Sequence, residues 1–141
     1  MREPVRDRDR LEHMVEAITN ILEFADGKKQ EEIEVDKLRY NGIVKNIEII
    51  GEAAYKLTNA FRCQHTETPW EFIMKMRHVL VHDYYQISPK EVWIVIQMIC
   101  THFVNKLTII CLKPIGTNGR KTKSSSLRQQ LTRALYKQRV V

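Results

Sequence analysis

Apolar residues in this chain recur three and four positions apart, segment after segment, and nowhere alternate as a half-buried strand requires. From Arg8 to Ala25, the residues Leu11, Met14, Val15, Ile18, Leu22 and Ala25 form one stripe, and Gly27 is a natural stop. The charged run Lys28 to Glu34 reads as a short turn or linker. A second helix is predicted from Asp36 to about Phe61, with Ile43, Ile47, Ile50, Ala54 and Leu57 as its apolar arc. Arg62 to Thr68 reads as a loop, and Pro69 is placed for the first turn of a third helix. There Trp70, Ile73, Met76 and Leu80 share one side. Ser88-Pro89-Lys90-Glu91 is the sharpest local signal: Ser at N-cap, Pro at N1 and Glu at N3 make a capping box. The helix behind it, Val92 to about Leu112, is apolar nearly all round and suits a bundle centre or a subunit interface. Pro114 and Gly116 end it. Four helices with short connections predict an all-α antiparallel bundle.

A chain of 141 residues supports one domain with a real core. The predicted division is a helical bundle over 1–115 and a basic tail over 116–141. The charge supports it. All 17 acidic residues precede position 92, whereas the tail holds seven basic residues (Arg120, Lys121, Lys123, Arg128, Arg133, Lys137, Arg139) and no acidic one. The net charge of +6 therefore resides in the tail, and the body carries 16 basic residues against 17 acidic. The tail is expected to be a poorly ordered extension, with RNA contact or partner contact as alternatives. Ser126 is placed to cap a short amphipathic helix through Leu127, Leu131 and Leu135. No apolar run is long enough to span a bilayer, and the opening residues lack the apolar core of a signal peptide. Cys63, Cys100 and Cys111 show no metal or disulfide spacing. A cytoplasmic protein with reduced cysteines is the expectation.

Polar chemistry concentrates in Met76-Arg77-His78-Val79-Leu80-Val81-His82-Asp83-Tyr84-Tyr85. Arg77 falls on the apolar arc of its helix, so its guanidinium must be paired or line a cavity. On one continuous helix Arg77 and His82 would stand about 140° apart. Either the helix ends between them or the site draws on more than one element. The capping box at Ser88 requires a break before it, so Asp83-Tyr84-Tyr85 is expected to leave the helix and bring His82 round toward Arg77. Arg77 can fork onto a phosphate and His82 can exchange a proton near neutrality. The two suffice for metal-free transfer at an RNA phosphodiester, the imidazole taking the 2′-OH proton and the guanidinium stabilising charge on phosphorus. Tyr84 could bond a phosphate or stack on a base. Taken alone, the pair is better accounted for by a structural arginine and a helix-end histidine.

His78 and His82, four apart with Asp83 adjacent, could also supply a metal pair, but no further ligands stand at telling spacings. Gly116-Thr117-Asn118-Gly119 lacks the context of a phosphate loop, and no nucleophile elbow exists for a serine hydrolase. On the second helix Asn46 sits inside the apolar arc and needs a hydrogen-bond partner, while Glu48 and Glu52 share a more polar side. Asn46 or Glu52 is expected to orient Arg77.

Arg77-His78-x-x-x-His82-x-Tyr84 resembles the R-x4-H-x-Y motif of HEPN-domain toxins of the HepT family. Arg8-Asp9-Arg10-Leu11-Glu12-His13-Met14, Asn46-Ile47-Glu48-Ile49-Ile50-Gly51-Glu52-Ala53 and Pro69-Trp70 are similar to that family's blocks, in its order. The likeness spans roughly residues 7–112. It implies a HEPN-type four-helix bundle that dimerises, with two motifs facing a shared cleft. It further implies metal-independent RNA cleavage without a cofactor, as the toxin of a type VII toxin–antitoxin pair. Arg77 and His82 become the catalytic pair, and His78, Asn46, Glu52 and Asp83 supporting residues. The implied partner is a nucleotidyltransferase antitoxin of the MNT type, in a homodimer or a higher hetero-oligomer, and Tyr84 the tyrosine it would adenylylate. The alternative is a non-catalytic subunit that binds a nucleotide or presents Tyr84 to such a transferase.

Overall fold

A computed structural model describes residues 3–83 and 87–98, with side-chain surroundings from Asp7 onward. Every regular element among them is helical: α1 (Glu3–Ala25), α2 (Gln30–Val35), α3 (Lys37–Lys56), α4 (Asn59–Gln64), α5 (Trp70–His82) and α6 (Pro89–Met98). The protein is an all-α bundle. The tail 116–141, the end of the predicted last helix and Tyr84 lie outside the described residues.

The long helices form where the periodicity places them. α1 buries Leu11, Met14, Val15, Ile18 and Leu22, together with Ala17 and Ile21, which widen the predicted stripe. Gly27 ends it with φ +66°, a conformation that costs an L side chain. α3 buries Ile43, Ile47, Ile50 and Ala54 and packs on both α1 and α5. Three contacts fix α1 and α3 as antiparallel. Asp7 bonds Thr58, Asn20 bonds Asn46, and the Arg39 guanidinium donates to Phe24 O at 2.6 Å. α6 begins on the predicted capping box: Glu91 N–H donates to Ser88 Oγ and Ser88 N–H to the Glu91 carboxylate, both at 3.3 Å. Val92 and Ile96 close the core.

Three expectations fail, each for a local reason. The run 28–34 is not a mere turn. Its Gln30–Val35 segment is helical, held at its start by Lys29 N–H donating to Glu32 Oε2 at 2.7 Å and pinned by Ile33, 3% exposed. The loop expected from Arg62 starts only after Gln64, since Asn59–Gln64 is helical, and the helix expected to reach Phe61 stops at Lys56. There the buried Asp7 carboxylate takes both the Thr58 N–H (2.8 Å) and the Thr58 hydroxyl (2.6 Å), and Thr58 Oγ1 caps a new helix by accepting from Phe61 N–H. Pro69 is the N-cap of α5 rather than its first residue. The indole of Trp70, donating to His65 O at 2.9 Å, ties that start to the α4–α5 turn.

Candidate active site

α5 has a packed side and a bare side. Trp70, Ile73 and Leu80 are buried. On the opposite side Phe72, Lys75, His78, Val79 and His82 face solvent. Arg77 stands at the packed margin, half-buried where α5 crosses α3.

That crossing is close because of Gly51. A Cβ placed there would run into Arg77 Cβ and lie 3.1 Å from Ile73 O. With no side chain in the way, the stem of Arg77 rests on the α3 backbone, and Glu52, the next residue, meets its head. Arg77 Nε lies 2.5 Å from Glu52 Oε2, the two side chains being 33% and 35% exposed. The contact is an ion pair rather than an aligned hydrogen bond, since Oε2, itself shut off from solvent, accepts none. The other carboxylate oxygen pairs with Lys56 Nζ at 3.1 Å. Arg77 Cζ also sits 5.9 Å from the ring centre of Tyr55, an exposed tyrosine one turn beyond Gly51. Glu52 and Tyr55 thus hold the guanidinium from two sides and leave part of it open.

His82 is the last residue of α5, so the helix ends ahead of Asp83 as expected, but it does not break between Arg77 and His82 and does not bring the two together. The chain leaves the helix only at Asp83, whose N–H closes the last turn on Val79 O at 2.8 Å. The local sequence Val79-Leu80-Val81 holds no breaker, and Leu80 anchors the final turn in the core. Arg77 and His82 therefore point about 140° apart around α5. His82 instead neighbours His78, their ring centres 4.5 Å apart. Asp83 is half-buried as the helix C-cap.

Asn46 is occupied elsewhere. Its Nδ2 donates to Gly42 O at 2.7 Å and its Oδ1 accepts from Asn20 Nδ2 at 3.1 Å. It is a satisfied core amide that fastens α3 to α1, and the carboxylate at Arg77 is that of Glu52. Sequence reasoning passed over Gly51 and Tyr55. A glycine inside a helix, where it costs stability, signals a close approach of another backbone. Tyr55 one turn later gave no comparable signal.

The family model described as Ribonuclease HepT-like matches residues 14–108, well over half of the chain. The chain belongs to the HepT-like ribonuclease family. It is 35% identical over 86 residues to a Thermococcus cleftensis protein named as a probable ribonuclease HepT, covering 61% of this chain and 78% of that one. A Caldanaerobacter subterraneus protein named as a candidate RNase is 33% identical over 86 residues, covering 61% and 77%. A Methanocaldococcus jannaschii protein, named for a gamma-glutamylcyclotransferase and a candidate RNase, is 30% identical over 87 residues, or 62% of this chain and 39% of that one. No solved structure matches the chain. The HepT-like match takes in Asn46, Glu52, Arg77, His78, His82, Asp83 and Tyr84, and it ends before the basic tail. No described helix is long and apolar enough to cross a membrane.

Proposed function

We propose that the protein is a metal-independent endoribonuclease, the toxin of a two-gene toxin–antitoxin pair, in which Arg77 and His82 carry the chemistry. The observation that carries this is Arg77. A half-exposed guanidinium is braced by Glu52 and Tyr55 at the α3–α5 crossing, on the helix whose last turn bears His82. A braced guanidinium binds a phosphate at little ordering cost, and its charge bears on the oxygens that become more negative as phosphorus becomes pentacoordinate. The neutral His82 imidazole takes the ribose 2′-OH proton. The 2′-oxygen forms a bond to phosphorus and the bond to the 5′-oxygen breaks, that oxygen taking a proton from water and leaving as a 5′-hydroxyl. A 2′,3′-cyclic phosphate remains, and the imidazolium returns its proton to solvent.

Because α5 runs unbroken, one chain does not aim Arg77 and His82 at one point. A homodimer in which the α5 helices of two copies face each other supplies Arg77 from one chain and His82 from the other. Exposed Phe72, Val79 and Val81 on α5 favour such a covering. Tyr84, two residues after His82 in the sequence, is the residue an antitoxin nucleotidyltransferase would adenylylate, adding bulk and negative charge to this stretch of the chain.

The test is RNA cleavage by purified protein in EDTA. Wild type should cleave, whereas Arg77→Ala and His82→Ala should each lose about 100-fold or more while keeping their helical circular dichroism. Mixing the two dead variants through unfolding and refolding should return roughly a quarter of wild-type activity, since half of the dimers then hold one intact composite site. Cleavage that EDTA abolishes would refute the mechanism. Absence of turnover in wild type would leave a non-catalytic binding subunit, and mixed variants that stay dead would refute the composite site.

A further inference from the structure

His78 and His82 stand one turn apart on the bare side of α5, both exposed, with ring centres 4.5 Å apart and planes inclined at 48°. Two imidazoles that share one first-row cation, each at about 2.0–2.1 Å, have ring centres roughly 5 Å apart. The observed separation of 4.5 Å lies close to that spacing. The pair also occupies the last turn of α5, where the backbone carbonyls concentrate negative potential and favour a cation. Among the described residues no group of three or more His, Cys, Asp or Glu comes together around an ion. A cation here would therefore be held by two nitrogens and water, unlike a closed structural zinc centre.

We propose that His78 and His82 chelate a divalent late-transition-metal ion, Ni²⁺, Cu²⁺ or Zn²⁺, and that the bound ion takes the His82 imidazole out of acid–base service. The chelate stands on the geometry of the pair. The inhibition rests on the functional reading above, because a ring nitrogen whose lone pair is bound to metal cannot accept the 2′-OH proton. Imidazole nitrogens select against Mg²⁺ and Ca²⁺, which take oxygen ligands. Cu²⁺ binds tighter than Ni²⁺ or Zn²⁺ at such a site. A nuclease that needs no metal for catalysis would in this way be switched off by one.

Calorimetric titration of the full-length chain with NiCl₂ tests the site directly. One ion per chain is expected with a Kd on the order of micromolar, weakened roughly tenfold or more in His78→Ala and in His82→Ala. His13→Ala, an exposed histidine on α1, should leave it unchanged. Circular dichroism without metal checks each fold, and His78→Gln replaces His78→Ala if the latter does not fold. Equal Ni²⁺ affinity in wild type and the His78 variant, or no binding by wild type up to about 1 mM, overturns the chelate. RNA cleavage at saturating Ni²⁺ should stop and return on adding EDTA. Ni²⁺ that binds through both histidines while cleavage runs at full rate leaves the chelate standing and removes His82 as the base. A wild type that never cleaves RNA removes the functional reading without touching the titration.

Discussion

Gly51→Ala puts the α3–α5 crossing under the most direct test. The added methyl would collide with Arg77 Cβ and lie 3.1 Å from Ile73 O and 3.2 Å from Arg77 Cα. Every one of these atoms belongs to the α5 backbone or its first side-chain carbon, so no rotamer change relieves the overlap. Carbon atoms settle about 3.5–4.0 Å apart, which obliges α5 to retreat by roughly an ångström. Overpacking of this kind costs about 1–3 kcal/mol, whereas replacing a mid-helix glycine by alanine returns about 1 kcal/mol of helix propensity. The net expectation is a loss of up to about 2 kcal/mol, lowering Tm by several degrees in a domain of this size. Gly42→Ala is the internal control. Its methyl would meet only the Phe24 ring, nearest atom 3.1 Å away, and that half-buried side chain can turn aside. Gly42→Ala should therefore match or exceed wild type in thermal melts, while Gly51→Ala falls below it and loses RNA cleavage beyond its loss of stability. A Gly51→Ala protein as stable and as active as wild type would refute the claim that this close approach positions Arg77.

Glu52→Gln should change stability by less than about 1 kcal/mol, because an ion pair a third exposed is screened by water. It should lower kcat for RNA roughly tenfold with KM little changed, since the guanidinium loses its brace but not its charge. A variant with unchanged kcat would show that Glu52 does not position Arg77. Asp7→Ala should cost about 2–3 kcal/mol in urea denaturation, as the buried carboxylate holds both the N–H and the hydroxyl of Thr58. A cost below roughly 0.5 kcal/mol would mean that Thr58 ends α3 without Asp7.

The helical class and the core stripes were legible because burial on one side of a helix leaves a 3.6-residue imprint, as the run from Leu11 to Leu22 shows. The α6 start was legible for a different reason, since a capping box is written entirely in neighbouring residues. The end of α3 was not legible. Thr58 becomes a break only when Asp7, 51 residues earlier in the chain, arrives beside it, and periodicity through Leu57 continues undisturbed. Asn46 announced that it needed a partner but not which one; Asn20 is itself unremarkable on α1. At the candidate site, the position of Arg77 on an apolar arc pointed to a pairing, and Glu52 provides it. The chain leaves α5 at Asp83, as the capping box at Ser88 required, but this exit does not bring His82 round to Arg77, because the Val79-Leu80-Val81 run keeps the helix intact through His82.

That continuity decides what the site requires. A guanidinium stabilises a developing phosphorane best where water is excluded and the local dielectric is low. In the single chain Arg77 remains about a third open, and His82 is exposed on the far side of the same helix. Straightening or twisting α5 cannot unite them, since Leu80 and the Gly51 contact hold both ends of the interval against the core. Among the described residues nothing lies over this side of α5. On the proposed mechanism, a surface that comes onto α5 would bring a base and a cation to one phosphate and would cover the exposed Phe72 and Val79. In the proposed homodimer, a second copy presenting its own α5 would meet both demands at once. It would exclude water from the α5 surface and place one chain's His82 opposite the other's Arg77, with Gly51 and Glu52 fixing the half of the geometry that each chain supplies.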